Sequence, residues 1–403
     1  MRDEVGTAVV DRPVPARVGE RAGWRAVATM SAGAFAIGTD TFVMAGLLGD
    51  IAQHWGITVG AAGMAVTAYS LSLAIGAPLL AAVLGGRPLR VLLAGSLSLF
   101  AAVELVTALA SGWGAFLVAR AIAALAAAVY APSATAAAVA AVPDGQRGRA
   151  LAAMVGGASL AMTVGAPVGV LLAAASSWRV AFGLIAVLAG GAAVAVVRCE
   201  RDAPALARTS VRERLRPLRS PALAGTLGVT LLAMAASNVL YTYLGVLVGG
   251  TVGTGGIGLV IAAFGIGGLV GTWSGGCVAD RWGSRASVLV ATGVLAAVGP
   301  MISAATTVTA VAALAVGWGI ASWGIVPAQQ HRLLGLGPTV GPSPASVALA
   351  LNSSAIHLGS ALGALLGGLV LDTGAADRLW WVSVVCCGAV LLLQNQITRK
   401  GRS

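Results

Sequence analysis

The chain predicts an all-α membrane protein of twelve transmembrane helices in two six-helix bundles, and three observations carry that reading. Charged residues make up 10% of its 403 positions and hydrophobic ones 58%, whereas a soluble domain has roughly a quarter charged residues. Apolar runs of about 20 residues, enough to cross a hydrocarbon core of roughly 30 Å, recur from end to end. One long polar segment, 198–221, divides those runs into six and six.

The runs are continuously apolar, as helices surrounded by lipid must be, and lack the alternation of barrel strands. The first, 27–49, follows a tail (1–26) that carries acids as well as arginines. It is too long for the core of a cleavable signal and is expected to be retained. Runs at 59–84, 91–111, 114–140, 150–173 and 179–197 complete a first bundle over 27–197. After the central loop, runs at 222–245, 255–278, 286–304, 308–333, 344–371 and 379–396 form the second bundle, 222–396, leaving a tail at 397–403. The 56 glycines suit helices that pack closely within lipid.

A net charge of +11 could point to nucleic acid, but the basic residues fall on alternate loops, as membrane orientation demands. With the N-terminus inside, every one of the 25 basic residues lies on the cytoplasmic side except Arg179 and Arg378, outside, and Arg120, within a span. Both termini are therefore expected in the cytoplasm and the chain in the inner membrane. Cys199, Cys277, Cys386 and Cys387 form no C-x-x-C pair, so neither a disulfide frame nor a metal site is read, and no cofactor is expected. The sole lysine is Lys400, which excludes a phosphate-binding loop and an ATP-driven pump within the chain. No clustered acids suggest a metal-dependent membrane enzyme.

Asp40, Glu104 and Arg120 are the ionisable acids and base inside the expected spans. A charge at mid-bilayer costs at least about 2.5–3.5 kcal/mol and so faces a cavity or a partner. Glu104 and Arg120 each lie eight residues from Gly112, the turn between spans three and four, which places them at equal depth, roughly 12 Å from it. Asp40, eight residues before Leu48, lies at comparable depth, and a three-membered ionic cluster is expected. Candidate substrate contacts are Asn238 and Tyr241, which share a face at i, i+3 spacing, and Trp318, Trp323 and Gln329 of span ten. Asn352 and His357 of span eleven are weaker candidates for substrate contact and read first as interhelical hydrogen-bonding groups.

Several motifs run through this frame. Gly276-Cys-Val-Ala-Asp280-Arg281-Trp-Gly283-Ser-Arg285 follows the pattern G-x-x-x-D-R-x-G-x-R, and its first-half counterpart, Gly85-Gly86-Arg87-Pro88-Leu89-Arg90, has lost the acid. Gly157 with Gly165-Ala166-Pro167-Val168-Gly169 marks span five. Gly38-Thr39-Asp40-Thr41-Phe42, Trp178-Arg179-x-x-Phe182 and Pro327-x-Gln329-Gln330 add to the pattern. Together these segments resemble the major facilitator superfamily along nearly every span, and within it the twelve-helix drug:proton antiporter branch, particularly its arabinose-efflux-permease-like members.

That resemblance implies parallel six-helix repeats with a substrate site between them near mid-membrane. It implies alternating-access export of a small organic molecule, a drug or metabolite, in exchange for protons, by a functional monomer. Asp40 would bind the coupling proton, Arg120 would tune it, and Glu104 would pair with the arginine. Gly276, Asp280, Arg281, Gly283 and Arg285 would latch a cytoplasmic gate. Gly157, Gly165, Pro167 and Gly169 would form the antiporter motif. Helices and topology do not encode direction, so a facilitator or importer of a sugar or nucleoside, or a non-transporting sensor, stays open.

Overall fold

Lipid offers no hydrogen bonds, so each apolar run must satisfy its backbone internally. The computed structural model describes residues 20–199, 210–336 and 345–400, and helix is the only extended regular structure among them. The first half comprises α1 (Glu20–Trp55), α2 (Val59–Val83), α3 (Leu89–Ala108), α4 (Trp113–Ala140), α5 (147–175) and α6 (Trp178–Cys199). The second comprises α7 (Pro221–Thr242), α8 (254–282), α9 (284–304), α10 (Val308–Gly335), α11 (Ala345–Asp372) and α12 (Leu379–Lys400). Twelve spans are thus present among the described residues. Parts of the expected tails and central loop (1–19, 200–209, 401–403) lie outside the described residues, as does 337–344.

α8 and α9 belong to one helical run, Leu244–Ala304, broken at Gly253 (φ 67°) and Gly283 (φ 81°). A positive φ is open to glycine at little cost, so Gly283 of the D-R-x-G sequence is the residue that lets the chain reverse between two spans. Two boundaries differ from the sequence reading. α1 runs beyond 49 to Trp55, which brings Asp40 nearer its middle, and Leu244–Gly253 is helical where a loop was expected after span seven. At the re-entry into the second half, Ser210 and Glu213 form a reciprocal capping box on the short helix Val211–Leu215.

Within each half the helices approach along glycines. A Cβ on Gly157 would stand 2.5 Å from the Ser31 carbonyl oxygen, on Gly165 2.1 Å from Thr39 Oγ1, and on Gly169 2.7 Å from Val43 Cγ2, so α5 lies directly on α1. Gly359, Gly363 and Gly367 do the same for α11 against α7, facing the carbonyls of Leu231 and Ala235 and the ring of Tyr243. Pro167 lacks the N–H that the carbonyl four residues earlier needs, and the turn before it, Ala161–Gly165, is π-helical. The other side of that turn packs across the halves, with Gly265 of α8 against Thr163 and Met162.

The halves are pinned at the end away from the termini. Thr58 donates to Asp372 (2.6 Å), Gly60 lies against Gly368, and Tyr243, whose hydroxyl donates to the Ala364 carbonyl (2.6 Å), fills the space over Gly63. Deeper in, the Tyr241 hydroxyl donates to the Phe42 carbonyl (3.0 Å).

Backbone carbonyls cannot retreat from an added methyl as a flexible side chain can. Gly363→Ala, whose Cβ would sit 2.6 Å from the Ala235 carbonyl, is expected to lose about 1–3 kcal/mol of stability, the usual cost of overpacking. Gly183→Ala, with nothing within 4 Å, should leave thermal unfolding in detergent unchanged; equal melting of the two variants would contradict this packing.

Candidate functional site

Three helices meet at one guanidinium. Arg120 on α4 is 1% exposed, and its Nη1 donates both to Asp40 Oδ1 on α1 and, at 3.3 Å, to Glu104 Oε1 on α3; both acids are 0% exposed. The cluster read from residue depth is therefore formed. The guanidinium also lies 4.5 Å from the centre of the Tyr69 ring and 5.5 Å from that of Phe182, faces that attract a cation. The Tyr69 hydroxyl lies beside Asp40, and among the described residues Glu104 Oε2 and Arg120 Nε have no hydrogen-bond partner.

Charge balance gives this trio its chemistry. Two carboxylates against one guanidinium leave an excess negative charge, and a net charge buried away from water is strongly disfavoured. One proton makes the trio neutral. Either carboxyl can carry that proton.

Beside the trio lies a cavity between the halves. Its first-half wall includes Thr41, Phe42, Tyr69, Ser70 and Arg120; its second-half wall includes Asn238, Tyr241, Trp323, His357 and Ser360. The room inside is about 80 Å³, well below the roughly 300–1,000 Å³ of ligand pockets, so a drug-sized molecule enters only when the halves part. Phe42 meets Tyr241 and Trp323 edge-on across the cavity, with ring centres 6.1 and 6.0 Å apart.

Of the five substrate contacts expected from sequence, Asn238, Tyr241 and Trp323 line this space. Trp318 and Gln329 do not. Trp318 is fully buried in the second half, its indole N–H donating to Ser237 Oγ (3.0 Å), and it packs on Phe264. Gln329 is equally buried and donates to the Thr226 carbonyl (2.8 Å) and Thr230 Oγ1 (3.2 Å). Both polar ends find partners on α7, which a spacing argument along α10 alone cannot reveal. His357 departs the other way: it faces the cavity and makes no hydrogen bond among the described residues. Asn352 is interhelical as expected, accepting from Thr230 (2.9 Å).

The expected gate loop is exposed at the termini end and, among the described residues, its side-chain partners are in its own half. Asp280 is 75% exposed, with His331 at 3.9 Å, while Arg285 reaches Asn395 (3.3 Å). Arg281 is exposed, and Gly276 faces open space; the close glycine contact to α10 is made by Gly275, against Gly324. The described contacts between the halves at the opposite end are those of Thr58, Gly60 and Gly63 with Asp372, Gly368 and Tyr243. Sequence reading gave no role to Arg179, which donates to the carbonyls of Ala108 (2.7 Å) and Ala110 (3.1 Å). A cation there suits the negative end of α3.

A twelve-span bundle with a narrow cavity between halves and a buried ionic trio at its wall defines a membrane transporter rather than a catalyst. The Major Facilitator Superfamily model matches residues 30–338, and the chain belongs to that family of multi-pass secondary transporters. It is 32% identical over 370 residues to the chloramphenicol resistance protein of Streptomyces lividans, covering 89% of this chain and 92% of that one. It is 30% identical over 376 residues to the inner membrane transport protein YdhP of Escherichia coli O157:H7, covering 92% and 95%. Among solved structures, the nucleoside transporter NupG superposes with a TM-score of 0.71 at 10% identity, covering 94% of this chain and 99% of that one. A bacterial homologue of the lysosomal transporter Spinster, inward-facing and occupied, gives 0.70 at 14%, covering 95% and 97%. At those identities the likeness is one of fold.

Removing one member of a buried charge cluster strands the others. Arg120→Ala is expected to cost about 3–5 kcal/mol, seen as lost folded yield and lower melting in detergent. Adding Asp40→Asn and Glu104→Gln to it should restore most of that loss; a triple variant no better than Arg120→Ala would contradict the charge argument.

Proposed function

We propose that this transporter exports a small, largely apolar organic molecule, a drug or self-made metabolite, in exchange for protons, with Asp40 as the proton-exchanging group. The observation that carries the reading is the trio's surplus carboxylate, buried behind Arg120, which itself lines the cavity. A structural ion pair needs one acid per arginine, and the second acid makes proton occupancy depend on whether water reaches the site. Proton loading from the outer face and release to the cytoplasm would then drive the halves between their two arrangements, with substrate moving in the other.

Further observations support this reading. Relatives include a protein named for chloramphenicol resistance. The motif glycines of α5 hold α1 in register and seat a π-turn against α8, where a half-to-half rocking motion would hinge. Arginine placement supports both termini and the gate loop in the cytoplasm, and on that orientation the conformation described here is pinned at its outer end. Asp280, Arg281 and Arg285 would close against the first half in the outward-open state.

Everted vesicles test the coupling. Chloramphenicol and a panel of chemically varied compounds are added while a pH dye follows internal acid. Wild type should release protons on addition of a transported compound and Asp40→Asn should not; equal release by both would remove Asp40 from the mechanism. Glu104→Gln leaves Arg120 to hold Asp40 ionised, so proton loading should require more acid. Its transport-against-pH profile should move to lower pH, and a profile unmoved or shifted upward would refute the role given to Glu104.

A further inference from the structure

α11 is fixed in rotation by its glycine stripe, since Gly359, Gly363 and Gly367 leave no room between it and α7. At 3.6 residues per turn, His357 stands about 200° around the helix from Gly359, and with Ile356 and Ser360 it faces the cavity. The other polar groups of the second-half wall are partly used up. The Asn238 amide donates to the Met234 carbonyl (3.0 Å), and the Tyr241 hydroxyl to Phe42. Free hydrogen-bonding capacity on that wall among the described residues comprises the Thr242 hydroxyl, the Trp323 indole N–H, the Asn238 side-chain oxygen and both nitrogens of the His357 imidazole, and His357 alone of these offers a ring donor and a ring acceptor together when neutral. Trp323 and Phe42 add aromatic faces.

The ionisable side chains of the lining are Tyr69, Arg120, Tyr241 and His357. Arg120 already serves two carboxylates, so no free cation awaits an anion, and no carboxylate side chain lines the space to welcome a cation. We propose that His357 is the substrate-selecting residue of this cavity and that, with Asn238, it hydrogen-bonds an uncharged aromatic solute bearing both donor and acceptor groups. This assignment rests on the transporter reading of the cavity and divides the site: proton exchange on the first-half wall, substrate recognition on the second. A site built to hydrogen-bond its ligand discriminates strongly against analogues that cannot answer.

The test uses the purified full-length protein and quenching of its tryptophan fluorescence by three aromatic probes: chloramphenicol (uncharged), 4-nitrobenzoate (anionic) and tetraphenylphosphonium (cationic). Wild type should bind chloramphenicol and neither ion. His357→Ala should weaken that binding roughly tenfold, the worth of one good hydrogen bond, and raise the transport KM with kcat unchanged. His357→Gln, which keeps hydrogen bonding and cannot titrate, should stay within about twofold of wild type, with the same pH profile. Ion binding as tight as that of chloramphenicol would overturn the ligand class, and binding unchanged in His357→Ala would overturn the residue. A lost or pH-shifted His357→Gln would make the imidazole a proton carrier instead. Each of these leaves proton-coupled transport standing, whereas a wild type silent to all three probes takes the cavity reading down with the assignment.

Discussion

Arg120, held between Asp40 and Glu104, is the interaction on which the site and much of the first half depend. Three charges inside a bundle surrounded by hydrocarbon are tolerable only when they answer one another, and the answer here ties α1, α3 and α4 at a single depth. That tie sets the rotation of α1. Once Asp40 points into the bundle, its neighbours Thr41 and Phe42 are turned to the cavity, and the small face presented by Gly38 is left for α5 to cover through Ala161. The glycines of α5 then read as a consequence of the ionic trio as much as a motif, because any larger residue would push α1 away from the arginine's partners.

The second half is organised by a different constraint. Its buried polar groups are neutral and pair locally, Trp318 with Ser237, and Gln329 with Thr226 and Thr230, so that half is stiffened without charge. Between the halves α2 lies along α11, and the contacts are of several kinds: a hydrogen bond from Thr58 to Asp372, a tyrosine seated over Gly63, a glycine against a π-turn. Among the described residues, the exposed charges of the Asp280–Arg285 loop have no ion-pair partner on the first half.

Much of this was legible before any coordinates. Hydropathy and arginine placement give the twelve spans, because lipid admits few alternatives, and counting residues from Gly112 was enough to bring Glu104 and Arg120 together, because a helix converts sequence into depth at a fixed rise. What sequence could not supply was azimuth. Trp318 and Trp323 are both plausible cavity residues by composition, yet about 140° apart around α10 they face the core and the cavity respectively. Gly275 and Gly276 differ in the same way, and His357 faces the cavity because the glycines of α11 are used up on α7. A signal for that existed in the Gly359, Gly363 and Gly367 spacing, which marks the packed face and therefore the faces left over.

The central claim is that the trio is neutral only with one proton aboard. Infrared spectra of the purified protein at neutral pH measure this directly, since a protonated carboxyl has a carbonyl stretch that a carboxylate lacks. The account predicts one such buried band in wild type and its disappearance in both Asp40→Asn and Glu104→Gln, each of which leaves one acid for one arginine. A wild type without the band, or a band that survives either substitution, would contradict it.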